Sequence, residues 1–425
     1  MGTGAEAVIH PPARGAVLGA EEGHGVAVPK VDLEVLTDPA AKLEAEDGPP
    51  INLALVLDCS TSMQGARMDM VKATAADLIR QLRPQDVFSL VAFNDRATTI
   101  IPAGSQHKYQ MLESSIRKLD ASGGTEIFKG LEAGFKEVQR HRKPSYTNHI
   151  ILITDGHTYG DETKCLELAD QAAALGIGIS GLGIGTDWND DFIDELSMRT
   201  GGSSIYVSKP KDIHKLLKEA FQSLGRAYVE RVNLDLRMVP GVHLQYAFRL
   251  VPDAGVLNTN PPLILGNIPQ KSRQRVLLEF LIDPIATKIE HIILAEGRFT
   301  FDIPKHSSSS YRIPLTLLRP VSEMPTVEPP PQIIVDAMSK LTLYRMQEKA
   351  HEALTAGNVE QAAKNLKNLA THLLSKGEQA LAKTVILEAQ NLENQQKFSQ
   401  NGEKEIKYGT RALLLPSGSM EENNL

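Results

Sequence analysis

The chain has 425 residues, 42% of them hydrophobic, and 45 Lys plus Arg against 52 Asp plus Glu give a net charge of −7. That length accommodates two or three domains with at least one sizeable core, and the mild acidity speaks against a nucleic-acid binder relying on phosphate attraction. The two cysteines, Cys59 and Cys165, are too few for a disulfide framework and fit a reducing compartment.

Residues 1–27 are rich in Gly, Ala and Pro without periodicity, and a disordered tail is expected. They lack the basic start, apolar stretch and small-residue cleavage site of a signal peptide. No run reaches the roughly 18–20 apolar residues of a membrane helix, and Met1-Gly2 lacks the Ser or Thr that a myristoylation start wants at its sixth position. A cytoplasmic protein is the expectation. Residues 28–47 hold one alternating stretch, VPKVDLEVLT, that reads as a strand.

From 48 to 225, apolar runs alternate with amphipathic ones. The runs are Asn52–Asp58, Asp86–Asn94, Asn148–Asp155, Ile177–Gly185 and Ser203–Ser208. Helices are expected over 69–82, 107–119, 127–142, 162–175, 190–199 and 211–224. Strands this uniformly apolar are buried on both faces, which predicts an α/β, doubly wound, mostly parallel sheet.

Residues 226–320 carry strand-like segments at 228–238, 243–250, 275–283, 290–301 and 311–317 without helices between them, so an antiparallel β-sandwich is expected. The lone strand at 28–47 needs partners, and pairing with this region would make the α/β domain an insertion into the sandwich. A Pro-rich linker at 321–331 leads to a helical region at 332–398, with helices over 332–356, 359–375 and 378–395. One or two helix hairpins cannot bury their faces alone, so this region should pack on the sandwich or mediate oligomerisation. Residues 399–425 read as a flexible tail.

The first strand of the α/β unit ends in Asp58-Cys59-Ser60-Thr61-Ser62, where alternation lets Asp58, Ser60 and Ser62 converge. In open α/β sheets ligands bind beyond the carboxyl ends of strands. The strand 148–155 ends in a second carboxylate, Asp155, followed by Gly156, and the loop Ser122-Gly123-Gly124-Thr125 offers one more hydroxyl. These are hard oxygen donors, suited to Mg²⁺ or Mn²⁺ ahead of Ca²⁺, and with no thiol or imidazole they speak against zinc. Cys59 reads as a small buried hydrophobe, Trp188 as core or helix-start packing at least as readily as a partner contact, and Glu126, His157, Asp161 and Glu162 as loop residues or helix caps.

The order Asp58-x-Ser60-x-Ser62, Thr125, Asp155 resembles the metal-ion-dependent adhesion site (MIDAS) of the von Willebrand factor type A (vWA) domain, over about residues 48–225. The resemblance implies a Rossmann-like sheet whose ion is ligated by the hydroxyls of Ser60, Ser62 and Thr125, with Asp58 and Asp155 acting directly or through water. It also implies an open coordination position that a Glu or Asp of a partner protein completes. With the flanking β region and helical end, the arrangement resembles bacterial cytoplasmic vWA proteins more than secreted adhesins. The expectation is therefore a cation-dependent interaction module with no catalytic residues. Two alternatives stand beside it. One is a Mg²⁺-dependent hydrolase, although Ser60 stands where such a phosphatase places its second Asp; the other is a scaffold subunit assisting a separate ATPase.

Overall fold

A computed structural model describes residues 6–10, 25–27, 30–36, 48–105, 109–158, 160–225, 227–269, 273–284, 291–303, 310–321, 332–399 and 401–414. Three strands open it: β1 (Glu6–His10), β2 (Gly25–Ala27) and β3 (Lys30–Leu36). The α/β domain follows with β4 (Ile51–Asp58), α1 (Ala66–Arg80), β5 (Val87–Phe93), β6 (Ala97–Gly104), α2 (Tyr109–Arg117) and α3 (Ile127–Arg140). It continues with β7 (Thr147–Thr154), α4 (Glu162–Ala174), β8 (Gly178–Ile184), α5 (Asp190–Thr200), β9 (Ser204–Val207) and α6 (Ile213–Gly225).

Its sheet runs β6-β5-β4-β7-β8-β9, parallel except for the edge strand β6. β4 and β7 are buried along their whole length, and alternation divides their side chains between two cores. Leu53, Leu55, Leu57, Ile151 and Ile153 face α1, α2 and α6, whereas Ala54, Val56, Ile150 and Leu152 face α3, α4 and α5. After β4 the chain moves to one side of the sheet, and β7 begins on the other. The β4/β7 pair is therefore the topological switch point, where a crevice opens beyond the strand ends. β6 was not among the expected strands, because ATTIIPAG is mixed and half exposed at the sheet edge.

The second unit comprises β10 (Ala227–Met238), β11 (Val242–Val251), β12 (Gly255–Leu257), β13 (Leu263–Pro269), β14 (Arg273–Ile282), β15 (His291–Asp302) and β16 (Ser310–Pro320). One sheet runs β13-β10-β15-β16 and the other β1-β3-β14-β11-β12, with β2 also on β14. A shared core including Val232, Leu234, Leu278, Phe280 and Phe299 closes them into a sandwich. β3 lies antiparallel to β14, with Leu277 opposite Lys30 and Arg273 opposite Glu34, so the α/β domain is inserted between strands of one sheet of the sandwich.

The helices α7 (Gln332–Thr355), α8 (Val359–Ser375), α9 (Gln379–Gln395) and α10 (Gly402–Ala412) complete the chain. Two expected tails differ from the structure. Within 1–27, β1 pairs with β3 and β2 with β14. Within 399–425, α10 is a buried helix whose inward face carries Lys404, Lys407 and Arg411 beside Ile406 and Thr410. An apolar-periodicity argument cannot find such a helix, because what it buries is largely charge matched by acids of another domain. Most of the expected linker, 322–331, lies outside the described residues.

The helical region packs on both neighbours. Tyr344 of α7 is buried with its ring centroid 5.5 Å from that of Phe248 in β11, and Arg345 bonds Glu279 of β14 at 2.7 Å. α10 reaches the α/β domain. Lys407 Nζ lies 2.6 Å from Asp190, 2.8 Å from Asp191 and 2.9 Å from Asp194, and Arg411 makes bonds of 2.7 and 3.0 Å to Asp194. Burial alone pushes the Asp194 carboxyl up, but Arg411 and Lys407 prevail and hold it well below the usual carboxylate range.

Candidate metal centre

The five expected residues come from three segments and meet at the switch point. Asp58 ends β4, and Asp155 follows the last residue of β7; both are fully buried. Ser60 is buried, Ser62 is exposed in the short turn Thr61–Met63, and Thr125 is buried just before α3. The turn after Asp58 closes when Ser60 N–H donates to Asp58 Oδ1 at 2.8 Å. Ser60 Oγ and Ser62 Oγ are 3.1 Å apart, and Ser62 donates to Asp155 Oδ1 at 2.6 Å. Thr125 is against the same strand end, since a Cβ on Gly156 would come within 3.2 Å of its Oγ1.

The loop that carries Thr125 is tied to the turn carrying the serines. Thr61 N–H donates to Gly123 O at 3.1 Å, and Ser122 N–H to Cys59 O at 2.7 Å. Gly123 adopts φ +81°, where a side chain is strained, and a Cβ there would also strike Asp95 at 2.5 Å. Asp95 accepts Gly124 N–H at 3.0 Å. Behind Thr125, Asp161 accepts Phe128 N–H at 2.9 Å and the hydroxyl of Thr158, pinning the start of α3.

Burial pushes the Asp58 carboxyl above its ordinary value, opposed by hydrogen bonds from Ser60 and Thr154, whose hydroxyl donates to Oδ2 at 2.6 Å. Arg67 Nη1 pairs with Asp155 Oδ2 and donates to Ser62 O at 3.3 Å. Burial pushes the Cys59 thiol up to about 12, which keeps it protonated as a small hydrophobe. Trp188 is buried, with Nε1 donating to Gly185 O at 3.0 Å, so it is core.

The donor set suits a small hard cation: two carboxylates and three hydroxyls, all oxygen. Oxygens on neighbouring vertices of a Mg²⁺ octahedron lie about 3 Å apart, and the Ser60–Ser62 separation of 3.1 Å matches that edge. Among the described residues no group of three or more His, Cys, Asp or Glu is placed to hold a metal.

Sequence reasoning passed over Thr154, Asp95 and Arg67. Thr154 is a hydroxyl one residue from a strand-end acid, and Asp95 follows directly on the expected strand ending at Asn94. Arg67 sits in the first turn of a helix, where acids are favoured and a cation is out of place.

A switch-point sheet with hydroxyl and carboxylate donors at its strand ends defines the class, and residues 52–219 match the family model of the von Willebrand factor type A domain. Residues 332–416 match that of the Sll0103-like, C-terminal alpha-helical domain. The chain thus contains a vWA domain and a helical domain of that second kind. It is 26% identical to protein sll0103 of Synechocystis over 90% of this chain and 93% of that one. The Escherichia coli protein YfbK is 23% identical over 48% of this chain and 36% of its own length. Among solved structures, a von Willebrand factor type A protein from Catenulispora acidiphila superposes with a TM-score of 0.73 at 15% identity, covering 96% of this chain and 98% of the other. The ArnB paralog VWA2 from Sulfolobus acidocaldarius covers the same shares, with a TM-score of 0.54 and 14% identity. The Synechocystis protein and the two solved structures match sandwich and helices as well as the central sheet.

Proposed function

We propose that this protein is a divalent-cation-dependent interaction module. Ser60, Ser62 and Thr125 would hold Mg²⁺ or Mn²⁺ through their hydroxyls, with Asp58 and Asp155 directly or through water. The observation that carries the reading is the meeting of Ser60, Ser62 and Asp155 in one hydrogen-bonded cluster at the β4/β7 switch point. When bound, the ion supplies a Lewis-acidic position that an acidic side chain of a partner protein completes. The residues' own part is to orient: Thr154 holds Asp58, and the Gly123–Gly124 loop carries Thr125 into place.

The reading assigns no catalytic residue, supported by Ser60 standing where a phosphatase on a related sheet would want its second acid. It places the protein in the bacterial cytoplasm. The free, buried Cys59 and Cys165 favour a reducing compartment, and the likeness to the Synechocystis protein favours a bacterial source. Among the described residues no helix is long and apolar enough to cross a membrane. The test is a pull-down with Mg²⁺ and with chelator, comparing wild type with Asp58→Ala. Partners held only by the Mg²⁺-loaded wild type support the reading, and partners retained equally in all arms overturn it. Phosphate release from generic substrates, lost in Asp58→Ala, would favour the hydrolase.

A further inference from the structure

We infer that Arg67 sets the charge of the metal site: it weakens the grip on the bare cation and leaves the loaded site net positive, selecting an anionic ligand. The inference rests on the metal reading above. Arg67 is the second residue of α1, where the helix dipole disfavours a cation, yet the side chain is held there from three sides. Nη1 pairs with Asp155 Oδ2 and also donates to Ser62 O at 3.3 Å, so it touches two of the candidate ligand residues. On the third side is Gly185, at φ +73°, where a Cβ would lie 2.7 Å from Nη2. The guanidinium thus lies close against Gly185, just past the end of β8.

The charge count gives this position its consequence. Asp58 and Asp155 carry two negative charges, and a divalent ion alone would bring the site to neutrality. Arg67 adds one positive charge in contact with Asp155, whose carboxylate is fully buried while Arg67 is 29% exposed. The cation must therefore bind beside a fixed guanidinium, which repels it. Once bound, the pair attracts a carboxylate that a neutral site would draw only weakly. Arg67 is a positioning and specificity residue acting through Asp155.

The test uses the full chain as wild type, Arg67→Met and Arg67→Lys, with circular dichroism to check folding. Mg²⁺ alone is titrated calorimetrically. Acetate is then added to Mn²⁺-loaded protein and the broadening of its methyl signal followed by NMR. Arg67→Met is expected to bind Mg²⁺ about tenfold tighter and to broaden acetate several-fold less, while Arg67→Lys, which keeps the charge, tracks wild type. Equal, measurable Mg²⁺ affinity in wild type and Arg67→Met overturns the inference, as does weaker binding by Arg67→Met. No Mg²⁺ uptake by any of the three proteins, at concentrations that saturate ordinary Mg²⁺ sites, sinks the metal reading itself.

Discussion

Removing the carboxylate of Asp194 should loosen, without releasing, the hold of the vWA domain on α10, because Lys404 still donates to Thr186 O and Trp188 O. Asp194 Oδ2 accepts Arg411 Nη2 at 2.7 Å and lies 2.9 Å from Lys407 Nζ, while Oδ1 accepts Arg411 Nη1 at 3.0 Å and the Tyr408 hydroxyl at 3.2 Å. In Asp194→Ala, Lys407 keeps Asp190 and Asp191, but Arg411 loses its one paired carboxylate among the described residues and keeps the neutral oxygens of Ser204 and Tyr344 and the ring faces of Tyr408 and Tyr344. Stranding one member of a buried ion pair costs about 3–5 kcal/mol. The lower end applies, because Asp194 keeps 20% side-chain exposure towards a 520 Å³ cavity at the three-domain junction. A cost of about 3 kcal/mol corresponds to roughly 100-fold faster exchange of α10 amides through local opening. Hydrogen exchange resolved to residues 402–412 reads this directly. Adding Arg411→Met to Asp194→Ala should recover part of the protection, since no charge is then left unpaired. Exchange in α10 unchanged within about twofold in Asp194→Ala would refute the reasoning. The same contact has a pH dependence. A carboxyl held below its ordinary value contributes its full stabilisation above the usual carboxylate range, and loses it as pH falls through that range towards the folded value.

Three further outcomes are expected. Glu230, buried and accepting the Thr147 hydroxyl between the vWA domain and the sandwich, is pushed up to about 7 by burial. The folded state therefore binds more protons than the unfolded chain between pH 4.5 and about 7, and stability falls as pH rises through that window. The loss is on the order of 3 kcal/mol at most, and melting curves of Glu230→Gln from pH 5 to 8 should lack that component. Gly183→Ala places a Cβ 2.0 Å from the Trp188 ring and should cost about 1–3 kcal/mol by overpacking; an unchanged thermal midpoint would count against it. Thr154→Val removes the donor to Asp58 Oδ2 and should weaken Mg²⁺ binding about 10- to 100-fold, read by calorimetry.

Much of this molecule is legible along the chain. The buried strands announce themselves as unbroken apolar runs, as NLALVLD and NHIILIT do, because a parallel strand covered on both faces has no polar side to show. The candidate ligands are readable for a related reason: polar residues at the end of such a run must either leave the core or find partners. The insertion topology was also within reach, since a lone strand ahead of the α/β unit cannot stand unpaired. Other features were settled by contacts distant in sequence. Nothing local marks α10 as structured, because GEKEIKYGTRA buries its basic face only once Asp190, Asp191 and Asp194 are brought against it. Arg67 looks like an ordinary helix residue until Asp155, 88 positions away, meets its guanidinium. Periodicity and strand-end chemistry are properties of neighbouring residues, so the sequence itself carries them. Paired buried charges depend on both partners arriving together, and only the tertiary structure decides that.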